Sequence, residues 1–330
     1  MSTQNLNHKD YNNYNKFRKP EWIKNKLNKN HNNNDNDNLK SRQIKQIIHN
    51  HNLKTVCTQA RCPNRSECFS RGVATFLIMG QCCTRGCKFC NIRQKKMDTL
   101  DPIKPLDNNE PHNVANAIKI MGLRHAVITS VTRDDIPDYG ANHFKETIQQ
   151  INRVNPNLTI EILPPDFNYI PDLYLDVAAE KLLVYNHNIE SVERLFPQVR
   201  DNRFDYHKSL GMLSDIKSHY PRLITKSGFM VGLGETIEDI ESTLTDLHRA
   251  NVSIVTIGQY LPPSRDHYPL DRFVHPEEFA QYKLIGEQLG IDYIFAGPLV
   301  RSSYIADAVL ENYMCRDMTT ASNIFFKLSK

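Results

Sequence analysis

The feature of this chain that most constrains its fold is an alternation, from residue 74 onward, of short apolar runs with longer segments of helical character. The β-rich apolar runs lie at 74–80, 125–131, 159–163, 181–186, 228–234 and 253–261. Candidate helices lie between them at 113–122, 143–152, 191–196 and 237–250. Near-continuous apolar strands alternating with helices are typical of a parallel sheet covered by helices. Six such units predict an α/β fold, a partial (β/α)6 barrel of the TIM type that falls short of the complete eightfold one.

The composition indicates a globular chain without a membrane or secretory segment. Of its 330 residues, 40% are hydrophobic, which is enough to bury a substantial core. No run of about 18 apolar residues is present, and the N-terminal residues have neither the apolar stretch of a secretory signal nor the Arg-rich character of a transit peptide. We therefore expect a cytoplasmic protein without a membrane partner.

The charge distribution argues against a nucleic-acid partner. The formal net charge is +4, and residues 1–38, with seven Lys or Arg against four Asp or Glu, account for +3 of it. The rest of the chain is nearly neutral, whereas nucleic-acid surfaces usually carry a concentrated basic stripe. Thirteen of those 38 residues are Asn, and apolar periodicity is absent there. Such a segment buries too little surface to offset its chain entropy.

These patterns divide the chain into four predicted segments. Residues 1–40 form a disordered Asn-rich tail, with a possible anchor at 18–23, which includes the only tryptophan, Trp22. Residues 41–72 form an N-terminal extension, 73–290 the partial barrel, and 291–330 a C-terminal segment.

Six of the eight cysteines form two triplets. Cys57, Cys62 and Cys68 stand as C-x4-C-x5-C (the upstream trio), and Cys83, Cys87 and Cys90 stand as C-x3-C-x2-C (the downstream trio) within "CCTRGCKFC". A reducing cytosol favours metal binding over disulfides. A closed zinc site needs four ligands, whereas a cubane iron–sulfur cluster can be held by three thiolates with one iron open to a small molecule.

Other interpretations of the cysteines remain open at this point. Zinc could be bound with Cys82 as a fourth ligand of the downstream trio, and disulfide bonding is a further alternative. Cys82 and Cys315 have no partner at a suitable spacing, so we predict that each is a buried small apolar residue. The downstream trio directly follows the first predicted strand, and the carboxyl ends of parallel strands are where reactive groups gather.

The downstream trio, in this position, resembles that of the radical S-adenosylmethionine superfamily. Within the superfamily, "CTQARCPNRSECFSRGVATFLIMGQCCTRGCKFCNI" (57–92) is similar to the lipoyl synthase family, which is marked by the upstream trio. Further similar segments follow in order through the chain: "VITSVTRDDIPD" (127–138), "YNHNIESV" (185–192), "TKSGFMVGLGET" (225–236), "TIGQYLPPSRDHYPLDRFV" (256–274) and "GPLVRSSY" (297–304).

The resemblance implies two 4Fe-4S clusters and S-adenosylmethionine as cofactors. Cys83, Cys87 and Cys90 would hold the cluster that cleaves S-adenosylmethionine. The upstream trio and Ser303, the serine before the tyrosine of R-S-S-Y, would hold an auxiliary cluster that donates two sulfur atoms and is consumed. The implied reaction inserts sulfur at carbons 6 and 8 of a protein-bound octanoyl chain. This step requires a radical, because the C–H bonds at those carbons are not acidic enough for a side chain to deprotonate.

The resemblance also implies partners. These are octanoylated lipoyl carrier domains, namely the acyltransferase (E2-type) subunits of 2-oxoacid dehydrogenases and the glycine cleavage H protein, and a ferredoxin- or flavodoxin-type electron donor. Arg301, beside Ser303, is a candidate to tune the auxiliary cluster. Polar residues at predicted strand ends are candidate contacts for S-adenosylmethionine: Ser130, Arg133, Glu161, Asn186 and Lys226.

Three positions depart from the family pattern. Tyr139 and Tyr169 stand where the family usually has glycine, and Pro164 where it has an aliphatic residue. Because glycine often marks positive φ or close backbone approach, these changes keep open a catalytically degenerate paralogue. Another radical sulfur-inserting enzyme, such as biotin synthase or a methylthiotransferase, is a second alternative. A zinc-stabilised binding module is an alternative from a different class.

Overall fold

The computed structural model describes residues 19–29, 35–50, 53–60, 62, 64–94, 103–304, 306–313 and 315. Of residues 1–40, for which we predict disorder, 1–18 and 30–34 lie outside this part of the chain, whereas 35–40 begin the helix Asp35–Asn50. Residues 21–29, which lie inside that tail, form a helix.

Seven parallel strands build the main sheet. In chain order they are β1 (Thr75–Ile78), β4 (His125–Ser130), β5 (Thr159–Leu163), β6 (Val184–Asn186), β7 (Ile224–Val231), β8 (Ile254–Gln259) and β9 (Tyr293–Gly297). Each strand pairs with the next in this order, so the described part of the sheet begins at β1 and ends at β9. Two short strands, β2 (Cys82–Cys83) and β3 (Arg93–Gln94), pair with each other beside it. The sequential, all-parallel order confirms the prediction of an α/β partial barrel.

The helices of the described residues lie before, between and after these strands. They are α1 (Glu21–Lys29), α2 (Asp35–Asn50), α3 (Val56–Gln59), α4 (Arg65–Ser70), α5 (Glu110–Met121), α6 (Ala141–Val154), α7 (Pro171–Ala178), α8 (Phe196–Val199), α9 (Tyr206–His219), α10 (Ile237–Arg249) and α11 (Pro276–Leu289). Residues 306–313 are helical as well.

Helix α10 illustrates how the sequence produces these elements. Thr236 and Asp239 form a capping box, in which each side chain accepts a hydrogen bond from the other residue's backbone N–H. Ile240, Leu244 and Leu247 recur at helical spacing and are fully buried against the sheet. The polar cap fixes where the helix begins, and the apolar stripe fixes which face it turns to the core.

The structure differs from the sequence prediction in two elements. Strand β9 is a seventh strand of the barrel, formed by a five-residue run that the pattern of six units leaves out. The helix expected at 191–196 is replaced by a 3₁₀ turn at Glu193–Leu195 and the short helix α8. Pro197 explains the shift, because proline is compatible with the first turn of a helix and not with its interior.

The amino ends of the strands are closed by apolar packing. Val309 and Leu310, on the helical segment 306–313, pack on Val184, Ile224 and Ile254. These three residues lie at or next to the starts of β6, β7 and β8. The carboxyl ends are therefore the end of the barrel at which a cavity can open.

The N-terminal extension covers the free edge of β1. Leu77 N–H donates to the Lys54 carbonyl, and Thr55 forms an isolated bridge with Phe76. Farther upstream, Trp22 packs edge to face on His275 with ring centroids 5.0 Å apart. No helix in the described part of the chain is both long and apolar enough to cross a bilayer.

Candidate active site

One cavity of about 560 Å³ opens at the carboxyl ends of the strands. Its lining includes the last residues of several strands, among them Ser130, Leu163 and Gln259. All six cysteines of the two trios line it, together with Arg301 and Ser303, and Cys82 does not. The structure therefore brings the two trios, 15 positions apart from Cys68 to Cys83, to the same space.

The downstream trio lies on a loop that buried charges hold in place. Arg85 is 2% exposed, and its guanidinium pairs with Asp134 at 2.8 Å and with Asp166 at 2.6 Å. Thr84 Oγ1 donates to Asp134 at 2.6 Å. The Gly86 N–H donates to Asp201 at 2.7 Å. The cysteine loop is thus fixed by carboxylates that follow β4, β5 and helix α8.

Two arginines stack on one aromatic ring beside this loop. The guanidinium carbon of Arg85 lies 4.1 Å from the centroid of Phe204, and that of Arg200 lies 3.6 Å from it. Arg200 lines the cavity and lies 3.8 Å from Glu190. Cation–π contacts of this kind are strongest where water is excluded. Arg85, Arg200 and Phe204 all line the cavity, so the stack places two positive charges at its wall.

The thiols of the downstream trio are in an environment that disfavours an isolated thiolate. Burial raises the pKa of the Cys90 thiol to about 12, and the charges of Cys87 and Cys83 act in the same direction. Burial also raises the pKa of Cys87. Three thiolates whose charges act on one another need a cationic partner, which a metal cluster supplies.

Backbone N–H groups are directed at two of these sulfur atoms. Cys83 Sγ lies 3.4 Å from the Thr132 nitrogen and 3.5 Å from that of Arg85. Cys87 Sγ lies 3.4 Å from the Asp201 nitrogen. Such donors stabilise charge on a coordinating sulfur and tune the potential of an iron–sulfur cluster. The donor set therefore fits a cluster held by three thiolates.

The upstream trio is spread over two short helices. Cys57 lies on α3 and Cys68 on α4, and both are buried. Burial raises the pKa of the Cys57 thiol to about 11, and the nearby Cys62 adds to the effect. Thr55 caps α3 by accepting from the Thr58 N–H at 3.3 Å. The same argument applies here as for the downstream trio: the buried thiols fit a cationic cluster.

Ser303 and Arg301 lie on the turn that follows β9. Both line the cavity. Arg301 donates to the Val300 carbonyl at 2.7 Å, and burial lowers its pKa while the charge of Cys62 opposes that change. The structure therefore places Arg301 within electrostatic reach of Cys62, and its role in tuning a cluster stays a prediction.

Of the five residues predicted to contact S-adenosylmethionine, only Ser130 lines the cavity. Its hydroxyl is buried and has no hydrogen-bond partner in the described part of the chain, so it is available to a ligand. Arg133 is buried and engaged elsewhere. Its guanidinium pairs with Asp135 at 2.8 Å and donates to the Met79 carbonyl at 3.3 Å.

Glu161, Asn186 and Lys226 form a polar layer inside the barrel and are not part of the cavity lining. Lys226 Nζ lies 2.9 and 3.1 Å from the two carboxylate oxygens of Glu161, and Asn186 Nδ2 donates to Glu161 at 3.0 Å. The desolvation of Glu161 opposes ionisation, but Lys226 and His125 lower its pKa to about 2. Contact of these three residues with S-adenosylmethionine stays a prediction.

The two tyrosines that stand in place of glycine keep glycine-like backbone conformations. Tyr139 has φ 53° and Tyr169 has φ 56°, a region that costs a non-glycine residue about 1 kcal/mol. Neither lines the cavity, whereas Pro164 does. The Tyr169 hydroxyl accepts from the Asp205 N–H at 2.8 Å and lies 3.0 Å from Ser209 Oγ. The rings therefore do not narrow the cavity.

Several lining residues were not identified from the sequence. Asn64, His187 and Arg200 line the cavity and are buried, and the half-buried Glu190 lines it as well. Burial lowers the pKa of His187 to about 4, and Arg200 adds to this, so the imidazole is neutral. The motif "YNHNIESV" contains two of these residues and is the signal that could have found them. Asn64 lies between Cys62 and Cys68, within the segment 57–92, whereas Arg200 belongs to none of the quoted segments.

Cys82 and Cys315, which belong to neither trio, do not line the cavity. Cys82 is half-buried and Cys315 is exposed, so the prediction that each is a buried residue is wrong for Cys315 and only partly met by Cys82. Among the described residues, no three His, Cys, Asp or Glu side chains are grouped to ligate one metal ion. A cubane spreads its ligands over separate irons, so its thiolates lie farther apart than those of a single ion.

Comparison with known proteins agrees with the site. The family model for the radical SAM superfamily matches residues 77–247. The lipoyl synthase of Halorhodospira halophila is 45% identical over 294 residues, which are 89% of this chain and 84% of that protein. The lipoyl synthase of Alkaliphilus metalliredigens is 43% identical over 296 residues, 90% of this chain and 97% of that protein.

A solved structure extends the likeness to the fold. The crystal structure of HydG, a maturase of the FeFe-hydrogenase, aligns with a TM-score of 0.52 at 14% identity, over 88% of this chain and 74% of that chain. At this identity the likeness concerns the fold alone. Together with the two cysteine trios in one cavity and the match to lipoyl synthases over most of both chains, it leads to one conclusion: the chain belongs to the lipoyl synthase family of the radical S-adenosylmethionine superfamily.

Proposed function

We propose that the chain inserts two sulfur atoms into a protein-bound octanoyl chain, at carbons 6 and 8, and so forms the lipoyl group. The observation that carries this proposal is that both cysteine trios and Ser303 line a single cavity. An enzyme that takes sulfur from one cluster and generates a radical at another needs both clusters within reach of the same substrate.

The donor sets that line the cavity support an assignment of the cofactor ligands. Cys83, Cys87 and Cys90 would hold one 4Fe-4S cluster, and the upstream trio with Ser303 would hold the other. When bound, the two clusters and S-adenosylmethionine supply the radical and the sulfur atoms. A hydroxyl ligand suits an iron that must be released, because oxygen is a harder and more readily exchanged ligand than thiolate.

The residues of the chain itself bind and orient the ligands and exclude water from the cavity. Ser130 offers a hydroxyl without a partner among the described residues, and the half-buried Arg301 offers a cation within electrostatic reach of Cys62. Apolar side chains such as Leu77, Leu163 and Met230 line the same cavity and suit an alkyl chain. Closure of the opposite end of the barrel by Val309 and Leu310 keeps solvent from entering there.

The partners and location are proposed with the reaction. The octanoyl chain is presented by lipoyl carrier domains, namely the acyltransferase subunits of 2-oxoacid dehydrogenases and the glycine cleavage H protein. A ferredoxin- or flavodoxin-type protein donates the electrons, and the reaction takes place in the cytoplasm. These assignments rest on the match to lipoyl synthases, whose name identifies the product.

Turnover of an octanoylated lysyl peptide tests the proposal. Anaerobically reconstituted protein is mixed with the peptide, S-adenosylmethionine and dithionite, and the products are followed by mass spectrometry. We expect the lipoyl peptide, with methionine and 5′-deoxyadenosine formed alongside it. The Ser303→Ala variant serves as the matched control for the auxiliary site. Formation of 5′-deoxyadenosine with no sulfur added by the native protein would assign the chain to another radical reaction.

A further inference from the structure

Two hydrogen bonds join the turn that carries Ser303 to the segment that carries the upstream trio. The fully buried Asn64 donates from Nδ2 to the Leu299 carbonyl at 2.6 Å. The Tyr304 hydroxyl donates to the Glu67 carboxylate at 2.9 Å. The joined residues are 235 and 237 positions apart in the sequence, so these contacts link two segments that nothing in the local chain holds together.

Both ends of these bonds lie next to the groups that the cluster would use. Asn64 is two residues after Cys62, and Glu67 immediately precedes Cys68 on the same helix. Tyr304 immediately follows Ser303. The two bonds therefore connect Ser303 to the upstream trio by a short path through side chains, whereas the path along the backbone crosses the whole barrel.

The turn also packs against β8 and β9. The ring of Tyr304 stacks on Phe295 of β9, with centroids 6.1 Å apart and an interplanar angle of 17°. Gly258 has no room for a Cβ, because the Val300 carbonyl occupies that space. Arg71 and Asp307 add an ion pair at 3.1 Å, which is partly exposed and therefore contributes little.

Asn64 also presents an unpaired acceptor to the cavity. Its side chain is fully buried and lines the cavity, and its Oδ1 has no hydrogen-bond partner in the described part of the chain. A buried amide oxygen without a donor is costly unless a ligand or a moving side chain satisfies it. Asn64 Oδ1 is thus an acceptor that a hydrogen-bond donor in the cavity can satisfy.

We propose that Asn64, Glu67 and Tyr304 form a latch that positions Ser303 against the upstream trio. The latch residues are positioning residues, since they act on the cluster site through Ser303. This inference rests on the proposed function, because Ser303 is a ligand only if an auxiliary cluster is bound. As a consequence, the time for which Ser303 stays bound to the cluster depends on two hydrogen bonds, one of which has a carboxylate as its acceptor.

The release of iron to a chelator tests the latch. Native and Tyr304→Phe proteins are reconstituted anaerobically, and iron loss to an excess of ferrozine is followed over time. We expect the auxiliary irons of Tyr304→Phe to be lost about tenfold faster, as expected for the loss of a hydrogen bond to a charged group. The irons of the downstream trio should leave at the native rate and provide an internal control. Glu67→Gln, which keeps an acceptor oxygen, should stay closer to native than Tyr304→Phe.

A matched control is offered by another tyrosine bonded to a carboxylate. Tyr174 donates to Asp215 at 2.7 Å and is buried away from the cavity lining. Tyr174→Phe should release iron at the native rate. Faster loss in Tyr174→Phe equal to that in Tyr304→Phe would show a general effect on stability and would overturn the latch.

A double variant shows whether the latch acts through Ser303. In a Ser303→Ala background, Tyr304→Phe should add no further acceleration. Equal acceleration with and without the serine would contradict the proposal. Amide hydrogen exchange of the metal-free chain provides a readout that does not depend on the proposed function. Exchange at 299–304 should be faster in Tyr304→Phe and Asn64→Ala than in the native chain, and native protection in both variants would overturn the latch.

These readouts separate the latch from the proposed function. A native chain that binds no more than about four irons would refute the auxiliary cluster, and the exchange experiment would still decide whether the latch exists. A native chain with about eight irons and unchanged release in Tyr304→Phe would refute the latch alone.

Discussion

Replacement of Lys226 by methionine should destabilise the protein strongly at neutral pH. Lys226 is 1% exposed and makes two hydrogen bonds to Glu161, which is also 1% exposed. The substitution leaves a buried carboxylate with Asn186 as its nearest hydrogen-bond donor and with His125 3.7 Å away. Removal of one partner from a buried ion pair costs about 3–5 kcal/mol. We expect the free energy of unfolding of the metal-free chain to fall by about that amount in denaturant titrations at pH 7.5.

The pH dependence of this loss follows from the pKa of Glu161. In the native chain that pKa is lowered to about 2, because Lys226 and His125 outweigh desolvation. A carboxylate with a depressed pKa stabilises the fold above its unfolded pKa of about 4.3 and loses that contribution as the pH falls toward 2. In Lys226→Met the unpaired carboxyl group is raised in pKa and takes up a proton. The difference between native and variant should therefore be largest near neutral pH and should shrink as the pH is lowered toward 5.

A double variant distinguishes a structural role for Lys226 from contact with S-adenosylmethionine. Lys226→Met with Glu161→Gln removes both charges and keeps an acceptor for Asn186, so it should recover most of the lost stability. If the polar layer of Glu161, Asn186 and Lys226 only supports the barrel, the double variant should bind S-adenosylmethionine with nearly native affinity in equilibrium dialysis. A single variant within about 1 kcal/mol of native stability would refute the argument for the buried pair.

Three further outcomes are expected. Cys82→Ala should bind as much iron as the native chain after reconstitution, because Cys82 does not line the cavity; a loss of about four irons would make it a ligand. Arg85→Lys should lower the free energy of unfolding of the metal-free chain by about 2 kcal/mol in denaturant titrations, because an ammonium cannot reproduce the paired contacts of guanidinium; native stability would contradict this. Tyr169→Phe should cost about 1–2 kcal/mol, since the Asp205 N–H loses its acceptor, and an unchanged melting temperature would show that solvent replaces it.

Local patterns predicted where the downstream trio lies in the fold. The downstream trio directly follows β1, and strand ends at the carboxyl side of a parallel sheet converge. The spacing of each trio depends on a few neighbouring residues, so it can be identified without knowledge of the packing. The alternation of apolar runs with helices likewise predicted six of the seven barrel strands, because each run is a local property of the chain.

The depth of a side chain inside the barrel could not be predicted in the same way. Glu161 and Lys226 lie on β5 and β7, with β6 between them, so no local pattern shows that they pair across the interior. Both were expected at the cavity, and both lie beneath its lining. The same limit applies to Asn64, because its bond to Leu299 joins positions 235 residues apart. Contacts of this range depend on how the strands assemble, which single-sequence patterns do not contain.

Tyr139 and Tyr169, which stand where the family has glycine, show a third limit on what the sequence predicts. Positive φ at both positions explains why glycine suits them, and the sequence comparison indicated this much. The directions of the two rings depend on the surrounding packing. The Asn168 amide donates to the Tyr139 hydroxyl at 3.2 Å, and Tyr169 is held by Asp205. Both rings thus serve the packing around helices α7 and α9 and leave the cavity open.

The central claim is that the two cysteine trios hold two separate clusters. Iron and acid-labile sulfide should be measured in anaerobically purified and reconstituted protein, for the native chain and for the Cys57→Ala/Cys62→Ala/Cys68→Ala variant. The account predicts about eight irons in the native chain and about four in the variant, with sulfide in equal amounts. About four irons in both proteins, or zinc in place of iron, would contradict it.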